Sequence, residues 1–83
     1  MKSIYYWLGD FCPYATVSNA SYANCDGLYE YAANTRAISD TLNRPVYKHV
    51  TRDRYIFWTV SAGWVIGPSG GLNKGDGTFY ESE

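Results

Sequence analysis

The chain has 83 residues, enough for one domain and too few for a dinucleotide-binding fold with a partner domain, a (β/α)8 barrel or a multidomain enzyme. Its net charge is −1, from 7 Lys+Arg against 8 Asp+Glu, so it offers no broad basic field for nucleic-acid backbones. Charged residues make up 18% and aromatics another 18%, nine of them Tyr, which argues against disorder and for a compact Tyr-rich β domain.

Strand-like runs alternate with turn residues along the chain. Ile4–Leu8 (Ile-Tyr-Tyr-Trp-Leu) is apolar and aromatic, and Gly9-Asp10 closes it. Residues 1–8 are too short and polar for a signal-peptide core, and no run approaches a membrane span. Tyr14–Ser18 follows Cys12-Pro13 and ends in the polar stretch Asn19–Asn24. Gly27–Ala32 opens on the turn pair Asp26-Gly27. Asn34–Asn43 is the one segment with helical spacing, through Ala37, Ile38 and Leu42, and predicts two helical turns stopped by Pro45. Val46–Val50 starts after that proline. Tyr55–Val60 is built almost wholly of β-branched and aromatic residues, the strongest strand signal in the chain. The loop Ser61-Ala62-Gly63 leads into Trp64–Gly67, with Gly63 suited to the left-handed position of a short hairpin turn. Glycine-rich loops at 68–71 and 75–77 precede a last edge strand at Thr78–Glu81. The predicted fold is a single all-β domain over residues 1–83: a small antiparallel β-sandwich or open barrel of five to seven strands with one disulfide. Residues 1–8 act as an edge strand or as a strand exchanged with a neighbouring copy.

Cys12 and Cys25 enclose residues 13–24, and the sole His rules out a zinc site of ordinary composition. Two readings stand: a disulfide closing a loop of about 14 residues, worth roughly 3 kcal/mol, or two buried thiols. A bridge implies an oxidising compartment, outside the cell or on its surface. Asn19-Ala20-Ser21 is an N-glycosylation sequon within the same loop and agrees with that setting.

Catalytic chemistry is poorly supplied. His49 is the only imidazole, and alternation puts it on one strand face with Tyr47, as a packed side chain. Of the candidate carboxylates Asp10, Asp26, Glu30, Asp40, Asp53 and Asp76, nearly all fall beside Gly or in predicted turns, and only Glu30 sits inside a strand. No phosphate loop, nucleophile elbow or calcium loop occurs. The reading is therefore no enzyme, no cofactor and no metal. Arg36, Arg44, Lys48, Arg52 and Arg54 cluster in the middle third beside aromatics, yet the acidic balance of the chain argues against nucleic acid.

The aromatic surplus is the most informative feature. In Tyr55–Val60, Tyr55, Phe57 and Thr59 share one face, and Ile56, Trp58 and Val60 share the other. Strands apolar on both faces need either a second covering layer or an exposed aromatic surface. The predicted interaction surface comprises Tyr5, Tyr6, Trp7, Tyr29, Tyr31, Trp58 and Trp64, with protein contact favoured over sugar stacking on Tyr29, Glu30, Tyr31, Trp58 and Trp64.

The run Cys12-Pro13, Val17-Ser18, Cys25-Asp26-Gly27-x-Tyr29, Asn43-Arg44-Pro45-Val46-Tyr47-Lys48-His49, Arg54-Tyr55-Ile56-Phe57-Trp58 and Gly63-Trp64-Val65-Ile66-Gly67-Pro68 resembles a Tyr/Trp-rich β module repeated in predicted extracellular proteins of marine invertebrates and algae. The likeness covers residues 12–70 and is most specific over Arg44–Gly67. That module has a short turn before its Arg-Pro-Val-Tyr, where this chain inserts Asn34–Asn43. The resemblance implies an extracellular, noncatalytic use. Together these observations predict a noncatalytic extracellular module for self-association or adhesion, a building unit of a filament or matrix, with other copies or other extracellular proteins as partners; the alternative is a lectin-like carbohydrate-binding domain.

Overall fold

The computed structural model describes residues 3–4, 13–38, 40–73 and 79–82. The protein is all-β. Five antiparallel strands, β2 (Tyr14–Ser18), β3 (Gly27–Tyr31), β4 (Tyr47–His49), β5 (Tyr55–Thr59) and β6 (Gly63–Gly67), form a curled half-barrel. Two-residue strands extend it at either edge, β1 (Ser3–Ile4) and β7 (Glu81–Ser82), so the sheet order is the chain order β1 to β7. A single curled sheet replaces the two-sheet sandwich that was one of the two predicted forms. β1 pairs with β2 of its own chain, Ser3 opposite Ser18 and Ile4 opposite Val17. Cys12, Tyr5, Tyr6 and Trp7 lie outside the described residues, and with Cys12 the predicted disulfide does too.

Cross-strand register sorts the side chains into two layers. Ala15, Tyr29 and His49 stand in one row, and Tyr31, Tyr47, Ile56 and Ile66 in the next. These inner-face residues pack with Val17, Cys25 and Trp64 into the main core, where Tyr29 and Ile66 are 0% exposed. The opposite face of β5 and β6 carries Phe57 and Val65, which pack with Ala37, Val46 and Leu72 into a second core. Each fully buried side chain of this size contributes about 1.5–3 kcal/mol. The strands that read as apolar on both faces are thus the ones covered on both faces, the outer layer coming from residues 32–46 and from one helical turn, α1 (Ser69–Leu72). A bond from Ile38 N–H to Leu72 O (2.8 Å) ties those two covering segments together.

The covering segment is not the helix its spacing predicts. Its described residues form turns, with Ala37 buried while Ile38 and Leu42 are 66% and 72% exposed. The reason is Asp40, whose carboxylate accepts from Leu42 N–H (3.1 Å) and Arg44 N–H (2.9 Å). A side chain that captures backbone donors two and four residues ahead competes with helical bonding, and Asn43 follows at φ +55°. The last strand also lies slightly later than predicted, at Glu81–Ser82.

Two glycines differ sharply in what they permit. Gly27 has φ +130°, and a Cβ there would stand 2.7 Å from His49 Nε2, whereas one on Gly70 would meet nothing within 4 Å. Gly27→Ala therefore combines backbone strain with a buried clash and is expected to destabilise by about 2–4 kcal/mol. Gly70→Ala is expected to change stability by less than about 1 kcal/mol. Urea midpoints of the two variants check this, and equal midpoints would contradict the assigned packing.

Candidate functional site

Three arrangements gather the chain's polar chemistry. The first surrounds His49, which is buried at the end of β4. Its Nε2 donates to Asp26 O (3.0 Å), since a carbonyl can only accept. Its Nδ1 then accepts from Thr51 N–H (3.1 Å) and Arg52 N–H (3.2 Å), fixing the Nε2–H tautomer. The Tyr29 ring meets the imidazole edge-on at 5.0 Å, and its hydroxyl donates to Cys25 O (2.6 Å). Asp26 Oδ1 in turn accepts from Ala20 N–H (2.9 Å). Both imidazole nitrogens are spent on these backbone groups, with the Thr51 hydroxyl also donating to Nδ1 (3.4 Å), so His49 has neither a lone pair nor a proton directed at solvent. It ties the β2–β3 loop to the β4–β5 turn.

The second arrangement is built on Asp40. Arg44 Nη1 bonds Asp40 Oδ1 at 2.6 Å, the carboxylate being 2% and the guanidinium side chain 29% exposed. The same guanidinium lies 4.1 Å from the Trp58 ring centroid, and Trp58 meets Trp64 edge-on at 5.9 Å. The segment 32–46 is thereby latched onto the sheet at Trp58. Arg36 Nη1 donates to Asn43 Oδ1 (2.7 Å) beside an open hollow of about 480 Å³ lined by Arg36, Ala37, Asp40, Asn43 and Asn73 among others. The Asp40 oxygens facing it are already occupied by three donors.

The third is the outer face of β2, β3 and β4, which no segment covers among the described residues. Tyr14, Glu30, Lys48 and Tyr55 form one row across it, and Thr16 and Leu28 form the next, continued by Val50 through Val50 N–H to Leu28 O (3.1 Å). Tyr14 is 51%, Leu28 40% and Val50 43% exposed.

The predicted aromatic surface is redistributed by this geometry. Tyr29 and Trp64 are core residues and are withdrawn from any exposed platform, because their strand faces turn into the curl of the sheet. Tyr31 and Trp58 are half-buried against the same core, and Arg44 covers one face of the Trp58 ring. Glu30 is exposed, but on the opposite face. The five residues proposed for sugar stacking therefore do not form one surface. Asn19 is exposed at φ +57° in the β2–β3 loop. Cys25 is buried. Sequence reasoning missed Tyr14, Leu28 and Val50 as a surface, and Asp40 and Arg44 as a pair. The i,i+4 spacing of that pair was its only signal, masked by the expectation of a helix. Searches of protein-family models, curated proteins and solved structures find no match to this chain.

The buried phenol of Tyr29 carries a pH signature. Burial is the main cause that pushes its ionisation far above the ordinary Tyr range. The unfolded chain ionises near pH 10 while the folded one stays protonated, so this group's contribution is full below about pH 10 and declines as pH rises past it. The expected outcome is alkaline destabilisation that is shallower in Tyr29→Phe, read from denaturant midpoints between pH 9 and 11. An identical decline in both would mean that Tyr29 is not its source.

Proposed function

We propose that the protein is a noncatalytic interaction module that associates with a second copy of itself through the outer face of β2–β4. The observation that carries this reading is the unequal covering of one sheet. The outer face of β5–β6 is sealed by residues 32–46 and α1, while the outer face of β2–β4 presents Tyr14, Thr16, Leu28 and Val50 to solvent. Partly apolar faces of this kind mark protein contacts. A second copy is the fitting occupant because Glu30 and Lys48 sit side by side on neighbouring strands. A twofold axis through that face sets each Glu30 toward the partner's Lys48, whose ammonium donates to His49 O (2.9 Å) and Arg52 O (3.3 Å) and keeps one further donor, a self-complementary arrangement. The net charge of −1 opposes association little. Edge-strand exchange has less support, since among the described residues the edge strands β1 and β7 have two residues each and β1 already pairs in its own chain.

The noncatalytic part of the reading rests on how the buried polar groups are used: both nitrogens of His49 and both oxygens of Asp40 serve backbone or Arg44. The reading includes an extracellular setting, in which Cys12 bridges Cys25 and Asn19 carries a glycan. Alkylation in denaturant without reductant, followed by intact mass, is expected to leave both cysteines unmodified and to show two added groups once reductant is present, which separates a bridge from buried thiols. Alkylation of either cysteine without reductant would remove the bridge.

Self-association is checked by sedimentation velocity from micromolar to millimolar protein. Wild type is expected to shift toward dimer with concentration, Leu28→Arg to remain monomeric, and Val60→Ser, altered at a 78% exposed hairpin tip, to behave as wild type. A wild-type monomer throughout, or an Leu28→Arg chain that associates normally, would overturn the proposal.

A further inference from the structure

In a meander, alternate connections emerge at the same end, so the β2–β3 loop, the β4–β5 turn and the β6–β7 connection meet at one end of the sheet. There the Arg54 guanidinium lies 4.3 Å from the Tyr80 ring centroid, and Tyr80 meets Tyr22 at 6.2 Å with ring planes 67° apart. Tyr22 is 58% and Tyr80 41% exposed, a high value for large rings already engaged with neighbours. Arg52 is exposed in the same turn.

The hydrogen bonding leaves cationic capacity unused. Arg54 Nη1 donates to Asp53 O (2.8 Å) and its Nε is buried, which leaves Nη2 as the donor without a partner among the described residues. The acidic residues of this end are directed elsewhere: Asp53 Oδ1 accepts from Ser69 N–H (3.2 Å) and Asp26 Oδ1 from Ala20 N–H (2.9 Å). Neither Arg52 nor Arg54 forms an ion pair among the described residues. A guanidinium held against an aromatic ring keeps its outward edge in fixed geometry, suited to a planar or tetrahedral oxyanion.

We infer that this end of the sheet binds a sulfated oligosaccharide, with Arg52 and Arg54 holding the sulfate and the Tyr22 ring stacking on the adjoining sugar. Tyr80 is a positioning residue that fixes Arg54. A sugar suits the site better than a nucleic acid, because two arginines at a single end grip one or two anionic groups, whereas a nucleic-acid strand requires a basic track along its backbone. Amphipathic ring faces beside a localised cation fit the C–H face and the charged substituent of a sulfated sugar. Tyr22, Arg54 and Tyr80 are not outer-face residues, and although Lys48 Nζ donates to Arg52 O (3.3 Å) where the two surfaces adjoin, the inference does not require self-association.

The test is calorimetric titration of the full chain with a sulfated tetrasaccharide, the same tetrasaccharide after desulfation, and an oligothymidylate of matched charge. Wild type is expected to bind the sulfated sugar at least about tenfold more tightly than either other ligand, with affinity falling as salt rises. Arg52→Gln, at an exposed position, is expected to lose about tenfold, Tyr22→Ala to lose a similar factor, and Tyr22→Phe to retain binding. Heat-denaturation profiles of each variant separate lost binding from lost fold. Equal affinity for the desulfated sugar, equal or tighter binding of the oligothymidylate, no binding of the sulfated sugar at millimolar concentration, or an Arg52→Gln chain that is folded and unimpaired would each overturn the inference.

Discussion

One buried imidazole determines how the two central hairpins of this sheet meet. His49 reaches across to the carbonyl of Asp26 with one nitrogen and receives two backbone donors of its own turn with the other. Every one of those partners is a main-chain group, so a substitute must supply a donor and an acceptor at the same separation, which no aliphatic side chain does. The ring also requires space that only glycine leaves, at Gly27, and its edge contact with Tyr29 carries the constraint to Cys25. The polar connections at this end of the sheet are thereby closed upon each other. Such closure explains why a domain with a thin core keeps a defined loop end, since a half-satisfied buried network would cost more than an apolar one.

The asymmetry of the two sheet faces follows from a second polar group acting locally. Asp40 folds residues 40–44 into a turn that a helix would not allow, and Arg44 then clamps that turn onto Trp58. Placed there, Ala37 and Val46 close over Phe57 and Val65, and α1 adds Leu72 from the other side. Among the described residues the covering layer ends at β5, and Tyr14, Leu28 and Val50 on the outer face beyond it stay half in water. The partial cover is thus a consequence of where one carboxylate captures the backbone.

Much of the sheet could be read in the sequence because its strands obey local rules. Tyr14–Ser18 and the Tyr55–Gly67 hairpin are bounded by turn residues, and Gly63 does adopt the left-handed conformation its position suggested, at φ +74°. The segment 34–43 misled because Ala37, Ile38 and Leu42 match helical spacing while the deciding interaction, a side chain bonding to backbone, leaves no periodic trace. The aromatic surface was legible only as a surplus. Composition shows that not every ring can be buried, but which ring is buried depends on the direction of curl, and a period of two assigns faces without saying which face is concave. Tyr29 and Tyr14 look alike in sequence and lie on opposite sides of the same pair of strands.

The two proposed surfaces are centred differently, the outer face on strand residues and the arginine–tyrosine end on connections, and they adjoin at the β4–β5 turn that holds Val50 and Arg52. A pair formed face to face presents two oxyanion-binding ends on one particle, and a polysaccharide able to reach both binds the second at an effective concentration set by their spacing. Weak individual affinity then suffices for firm retention on a charged matrix. Asn19 belongs to the β2–β3 loop, as Tyr22 does, and a glycan attached there would project from this end rather than from the outer face. Glycosylation would thus bear on sugar capture while leaving the pairing face clear, making the binding end, and not the association, the part of the molecule open to modification.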